Sequence, residues 1–271
     1  MRNKIIEHLN NKYEINIDEI DFKEIKNEVI ERLEQGALIS FSQNYEDIIL
    51  KRIFNNFSDG VFVDVGAYHP FYNSNTYLLY SLGWRGINID MDIDNMFQFS
   101  KLRNKDINVT VPISDADREI ETYMIKNSSR SSIFKEIAEI NLKKDESIVK
   151  VIQKSKKLNT VLEENKIDSI DLLSIDVEGA EVKVLNGFDL LKYSPSVIIL
   201  EAIYPQTSEI KSHEPEKLLN QSEYFSFYFD GINKFFCSKD NLSKYKEAVK
   251  LPPNYFDNFI RFKDVLGFIG K

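Results

Sequence analysis

Several apolar runs in this 271-residue chain stop at a carboxylate. Asp64 closes "VFVDVG", Asp90 closes "RGINID", and Asp115 follows "INVTVPIS". Asp176 and Glu178 follow "DLLSI", and Glu201 ends "SVIILE". One acid at a strand end is ordinary, since a strand must end in something polar. A whole series of such ends along one sheet edge gathers carboxylates, and gathered carboxylates share protons, hold hard cations or accept from hydroxyl groups.

The elements that would position these acids are legible in the periodicity. The strand candidates span 60–66, 85–90, 107–114, 169–179 and 195–203, with amphipathic stretches such as "NTYLLYSLG" and "IDNMFQFSKLR" between them. Strand–helix alternation predicts right-handed crossovers and a mostly parallel α/β sheet. In such a sheet ligands bind beyond the carboxyl ends of the strands. Two aromatic-rich runs around Asp230-Gly231 predict a closing antiparallel hairpin. That ending suits Rossmann-like methyltransferases better than nicotinamide-binding folds, which continue with parallel strands.

The first turn narrows the ligand. Gly66-Ala67-Tyr68-His69-Pro70-Phe71 lacks the second and third glycines that let backbone press against a pyrophosphate. One glycine after an acid still allows a tight turn and a close approach. S-adenosylmethionine, with an adenosine, an amino-acid tail and no phosphate, fits that turn. Asp90 would accept from the ribose hydroxyls, with Met91 beside it, and Asp64, Gly66, Ala67 and Tyr68 would pass under the methionine part. Asp115 would accept from the adenine amino group, with Ser114 beside it.

Two candidates could take a proton from an acceptor. His213, in "EIKSHEPEKLL", falls on a loop after the fifth strand, although a lone histidine is more often structural or merely exposed. Asp176, Glu178 and Glu181, with Glu201 on the next strand, could instead share a proton or hold Mg or Mn. Against both stands the simpler role of Glu178 and Glu181 at a helix start, where acids favour the positive end. His69, Glu201 and Tyr204 are expected near the acceptor.

The totals restrict the partners. With 35 basic and 43 acidic residues the net charge is −8, which repels a phosphate backbone, so a nucleic-acid partner is not expected. The lone Cys237 forms no intrachain disulfide. No apolar stretch suits a signal peptide or a bilayer span, and the expected location is the cytoplasm. Residues 1–40 are expected as a helical N-terminal extension, with an apolar face at Ile25, Val29, Ile30 and Leu33. Residues 41–271 would form the cofactor-binding domain, in which a helix starts at Ser42 and the stretch 118–160 is an irregular insertion. The N-terminal helices could cover the site or pair two copies into a homo-oligomer.

"FSQNYEDIILKRIF", "FVDVGAYHPFYNSNTYLLYSLGWRGINID", "INVTVPISD" and "LLSIDVEGAEVKVLNGFD" together resemble the FkbM-type S-adenosylmethionine-dependent methyltransferases. "VIILEAIYP", "FYFDGINKFFCS" and "PPNYFDNFI" extend the similarity over about residues 40 to 260. The resemblance implies a class I fold, a Rossmann-like seven-stranded sheet, mostly parallel, ending in the reversed pair. It implies O-methylation of a sugar or other small molecule, in particular in the branch found with bacterial surface-polysaccharide genes. Gln43 and Glu46 match a motif near the methionine end of the cofactor. Where "DVGA" is commonly followed by Asn-x-Gly, this chain has "YHP". The rival readings are a nicotinamide-dependent oxidoreductase, a methyltransferase for a non-sugar small molecule and a non-catalytic scaffold.

Overall fold

Short fully apolar segments can be satisfied only as strands covered on both faces, and the chain builds one sheet around three of them. The computed structural model describes residues 11–13, 27–55, 58–126, 128–204, 209–211 and 213–265. They divide into two compact units, one from residues 1–59, 71–84 and 248–271, the other from 60–70 and 85–247.

The first unit contains the helices Asn27–Glu34, Glu46–Ile53 and Tyr77–Ser81, and the short parallel pair β1 (Leu38–Ser40) and β11 (Phe259–Arg261). Of the apolar face expected on the first helix, Ile25 lies outside the described residues and Leu33 is buried. Aromatic rings fill this unit: Phe41 meets Tyr77 at 4.7 Å and Phe262 at 5.0 Å between centroids, and Trp84 meets Phe54 at 4.8 Å. The second helix begins at Glu46, not Ser42. The reason is Asp47, whose buried carboxylate accepts from Ser40 Oγ, Ser42 Oγ and the Phe41 and Ser42 amides. These bonds hold 40–42 in a turn around the acid, and Tyr45 enters the helix with φ 68°.

The second unit holds β2 (Val61–Val65), β3 (Arg85–Asp90), β4 (Ile107–Thr110), β7 (Leu172–Ile175), β8 (Val197–Glu201), β9 (Tyr224–Phe229) and β10 (Asn233–Ser238). The sheet order is β4-β3-β2-β7-β8-β10-β9. The strands from β4 to β8 are parallel, and β10 runs antiparallel to both β8 and β9. This is an α/β fold with a mostly parallel sheet, as the strand–helix alternation predicts. Successive strands build outward on one side through β3 and β4, then the chain returns to β7 on the other side of β2. The strand order therefore reverses between β2 and β7, where such sheets open a crevice.

Strand alternation sends Val63, Val65, Ile87, Ile89, Leu173 and Ile175 into one apolar cluster. On the opposite face Arg103 is fully buried beneath Phe62 and Phe99, its guanidinium carbon 5.2 and 5.9 Å from their ring centroids. Its Nε donates to Asp106 at 2.7 Å, and its Nη1 donates to the Pro70 carbonyl at 3.0 Å.

The stretch 118–160 departs from the expected irregular insertion. β5 (Arg118–Ile125) and β6 (Ile148–Ser155) pair over their whole length as an antiparallel ribbon, with the helix Lys135–Asn141 between them. Ile120, Thr122 and Met124 alternate with charged and aromatic residues, a period of two that marks a half-buried strand.

Candidate active site

Gly66 shows how tightly the strand ends meet. Its φ is 85°, and a Cβ placed there would lie 1.8 Å from the Asp176 carbonyl oxygen. The glycine is needed because the backbone leaving β7 occupies the space a side chain would take. At Gly66, then, the close approach is between two strand ends of the protein itself.

Beside this contact opens a cleft of about 540 Å³, its mouth included. Gly66, Asp90, Met91, Asp176 and Glu178 line it, joined by Asp92 and Asn95. Val111, Pro112, Ile113 and Ile133 give it an apolar wall, and Ser128, Ser129 and Ser131 a hydroxylic one. The serine wall comes from the 118–160 stretch and was missed, since serines in a turn carry no signal distinguishing them from ordinary turn residues. The β5–β6 ribbon also touches the loop after β3. Thr122 Oγ1 donates to Gln153 Oε1 at 2.8 Å, and Gln153 Nε2 donates to the Met91 carbonyl at 2.9 Å.

Asp90 is held by backbone. Its Oδ2 accepts from the Tyr68 amide at 2.9 Å and its Oδ1 from the Asp92 amide at 2.7 Å. Each oxygen keeps acceptor capacity toward the cleft. Burial pushes this carboxyl up to about 6 against the pull of those amides. Asp92 in turn caps the helix Ile93–Leu102 by accepting from the Asp94 amide.

A second group of acids gathers at the ends of β7 and β8. The residue after Asp176 and Val177 is Glu178, in the left-handed region at φ 48°, and Gly179 follows at φ 93°. This double left-handed turn is backbone strain next to a cleft, where such strain tends to serve function. Asn141 Nδ2 donates to Glu178 Oε2 at 2.9 Å, and Ser132 Oγ donates to the Glu178 carbonyl at 2.8 Å. The Glu181 carboxylate accepts from the Gly179 amide. Lys211, which sequence reasoning missed, bonds Glu201 and lies 3.4 Å from Glu181. The carboxyls of Asp176, Glu178 and Glu201 are all raised, first by burial and then by the charge of their acidic neighbours. Asp176 is the most open of these, because its side chain faces the cleft, and no described residue donates a hydrogen bond to its carboxylate. The described residues present no group of three or more His, Cys, Asp or Glu placed to hold a metal ion.

Other expected residues fall elsewhere. Asp64 is buried within β2, in register with Asn88 and Ser174, and does not line the cleft. Ala67 is buried against Met96 and Phe99. His69 follows the glycine turn, and burial lowers its imidazole to about 4, leaving it neutral at neutral pH. Asp115 pairs with Lys183 at 2.6 Å and Arg118 at 3.3 Å, which hold its carboxyl below the usual range, the Lys183 bond foremost. Ser114 lines a separate hollow with Arg118 and Lys183. His213 is exposed at the start of the helix Glu214–Gln221, with Nδ1 3.8 Å from Glu216, and is not part of the cleft lining. Tyr204 is also outside that lining; its amide donates to the Glu209 carbonyl. Gln43 and Glu46 belong to the other unit. There the Gln43 carbonyl accepts from Arg261, and the Glu46 carboxylate accepts from the Asn44 amide.

A parallel sheet with a reversed outer pair, and an acid-lined cleft at its order switch, define an α/β enzyme of the nucleoside-cofactor kind. The family model of the methyltransferase FkbM domain matches residues 64–243, and the chain belongs to that family. It is a methyltransferase by family, and methyltransferases generally draw on S-adenosylmethionine. No curated protein matches the chain. No helix among the described residues is long and apolar enough to cross a membrane.

Proposed function

We propose that this chain transfers a methyl group from S-adenosylmethionine to a hydroxyl oxygen of a sugar in bacterial surface polysaccharide, capsule or lipooligosaccharide. The observation that carries the reading is the family match together with a cleft in which Gly66, Asp90 and Asp176 meet. The donor fits the residues present. Asp90 has acceptor capacity on both oxygens for a ribose diol, and Val111, Pro112, Ile113 and Ile133 offer an apolar wall to a flat base. When bound, the cofactor supplies an electrophilic methyl group on a sulfonium.

The chain must then orient the acceptor and accept its proton. Asp176 is our base: it faces the cleft, its carboxylate has no described donor, and its surroundings raise its proton affinity. Glu178, fixed by Asn141, stands next to it as the group that shares the proton. Glu201 supports the acceptor side from behind. His213 keeps a smaller claim, since it is exposed at the start of a helix and is not part of the cleft lining. His69 and Tyr204 would contact the acceptor, and Gln43 and Glu46 the methionine end by family resemblance. Met91 and Tyr68 would hold Asp90 and the turn in place.

The nicotinamide reading is disfavoured by Gly66, because the space under the turn is filled by the Asp176 carbonyl and leaves no phosphate cradle. Calorimetry with S-adenosylmethionine, S-adenosylhomocysteine and NAD tests the choice. Binding of the first two and not the third is expected, and binding of NAD alone sinks the proposal. Mass spectrometry of surface glycans from a strain lacking the protein should then show the loss of one methyl group.

A further inference from the structure

Where the β5–β6 ribbon touches the loop after β3, it grips the one peptide that donates to Asp90 Oδ1. Gln153 Nε2 donates to the Met91 carbonyl at 2.9 Å. The Met91 carbonyl and the Asp92 N–H belong to a single planar peptide unit, so fixing the first aims the second. That N–H donates to Asp90 Oδ1 at 2.7 Å. The orientation of the Gln153 amide is settled by its neighbours. A carbonyl only accepts, so the nitrogen must face Met91 and the oxygen must face Thr122. Thr122 is fully buried, and its hydroxyl has two acceptors in reach, Gln153 Oε1 at 2.8 Å and the Val151 carbonyl at 3.1 Å. Its single hydrogen serves the nearer.

A continuous chain of donors results: Thr122 to Gln153, Gln153 to the Met91–Asp92 peptide, and that peptide to the Asp90 carboxylate. Hydrogen bonds in such a chain polarise one another, so each strengthens the next. Asp90 lines the cleft and Gln153 does not, so the glutamine acts through the peptide. Without Gln153 the peptide is free to turn. Asp90 would then keep the Tyr68 amide on Oδ2, with only the Asn95 side chain, 3.5 Å away, on Oδ1. We propose that Gln153 is a positioning residue for Asp90, holding the Met91–Asp92 peptide so that the carboxylate keeps one plane and turns its unused lone pairs to the vicinal diol of a ligand. That the diol is the ribose of S-adenosylmethionine rests on the methyltransferase reading; the hold of Gln153 on Asp90 does not.

Gln153→Met keeps the bulk of the side chain and removes the donor. In calorimetry with S-adenosylhomocysteine its affinity should fall about five- to tenfold below wild type. Thr122→Val, which frees the glutamine oxygen, should lose less, about two- to threefold. In an Asp90→Asn background Gln153→Met should change affinity by less than about twofold, because the group it positions is already altered. A carboxyl titration followed by carbon-13 NMR reads the same hold without any ligand. The Asp90 carboxyl, at about 6 in the wild type, should titrate higher in Gln153→Met, because a loosened amide favours the ionised form less. The neighbouring charges, Asp92 beside it and Asp176 and Glu178 in the same cleft lining, are unchanged by the substitution. Should Gln153→Met not fold, Gln153→Leu serves in its place. An unmoved Asp90 midpoint overturns the proposal, as does a variant that binds like wild type, or one whose loss is the same with and without the Asp90 carboxylate. If the wild type binds no S-adenosylhomocysteine, the methyltransferase reading falls and the Asp90 titration alone decides the role of Gln153.

Discussion

Two charged regions of the larger unit handle burial in opposite ways. Around Arg103 one cation meets one anion: Asp106 accepts from Arg103 Nε, from Asn88 Nδ2 and from the Gly86 amide. Burial pushes the Asp106 carboxyl up and the guanidinium pulls against it. Around Lys211 one cation faces four carboxylates. The first region is balanced in charge, closed to water and bonded to the Pro70 carbonyl, so it holds a loop. The second is unbalanced and opens on a cleft through Asp176 and Glu178. Unbalanced buried charge costs stability, and a protein retains it where chemistry needs it.

The comparison breaks most visibly at Arg103. Arg103→Met leaves Asp106 buried without its cation and should cost about 3–5 kcal/mol in urea unfolding. A loss below about 1 kcal/mol would show that the pair does not hold the sheet face as described. Asp176→Asn should do the reverse: stability at pH 8 stays level or rises, because one of several like charges is gone, while methyl transfer falls about 10²–10⁴-fold. A variant that is both destabilised and fully active makes Asp176 structural.

Asp90 lies between the two extremes, raised by burial yet anchored by amides. Asp90→Asn should weaken S-adenosylhomocysteine by about 10- to 100-fold, whereas Asp115→Asn, whose carboxylate is engaged by Lys183, should change it by less than about threefold. Equal losses in calorimetry would restore Asp115 to the cofactor site.

The smallest effect is the pH dependence. The raised carboxyls of Asp176, Glu178 and Glu201 hold protons in the folded chain that the unfolded chain releases near pH 4. Their stabilising contribution is therefore complete at low pH and drains away as pH rises through about 7 to 8. His69, lowered to about 4 by burial, acts in the other direction, adding a cost as pH drops below about 6.5. Above that value only the acids contribute. Unfolding free energy should fall as pH rises from about 6.5 to 8.5, and Glu201→Gln should flatten the slope.

Much of this was legible in the residues. Strand–helix alternation carried the parallel sheet, and the strand-end rule put Asp90, Asp176 and Glu178 on one edge. Three things were not. The β5–β6 ribbon hides behind charged and half-exposed positions, and no tight turn joins its strands. The Ser128–Ser131 wall reaches the cleft by tertiary packing alone. Lys211 is ten residues beyond Glu201 in sequence, yet the return of the chain brings their side chains together, and a lone lysine gives no local sign of that. His213, two residues on, attracted the chemical reading by residue type, but at the start of the helix Glu214–Gln221 it lies exposed at the surface.

The contact between Gly66 and the Asp176 carbonyl has an evolutionary corollary. The turn after β2 and the end of β7 are braced against each other like two stones of an arch, so neither tip can drift without displacing its neighbour. Adaptation toward a new ligand must be confined to what surrounds that brace, and the β5–β6 ribbon with its serine wall is where inherited diversity should accumulate.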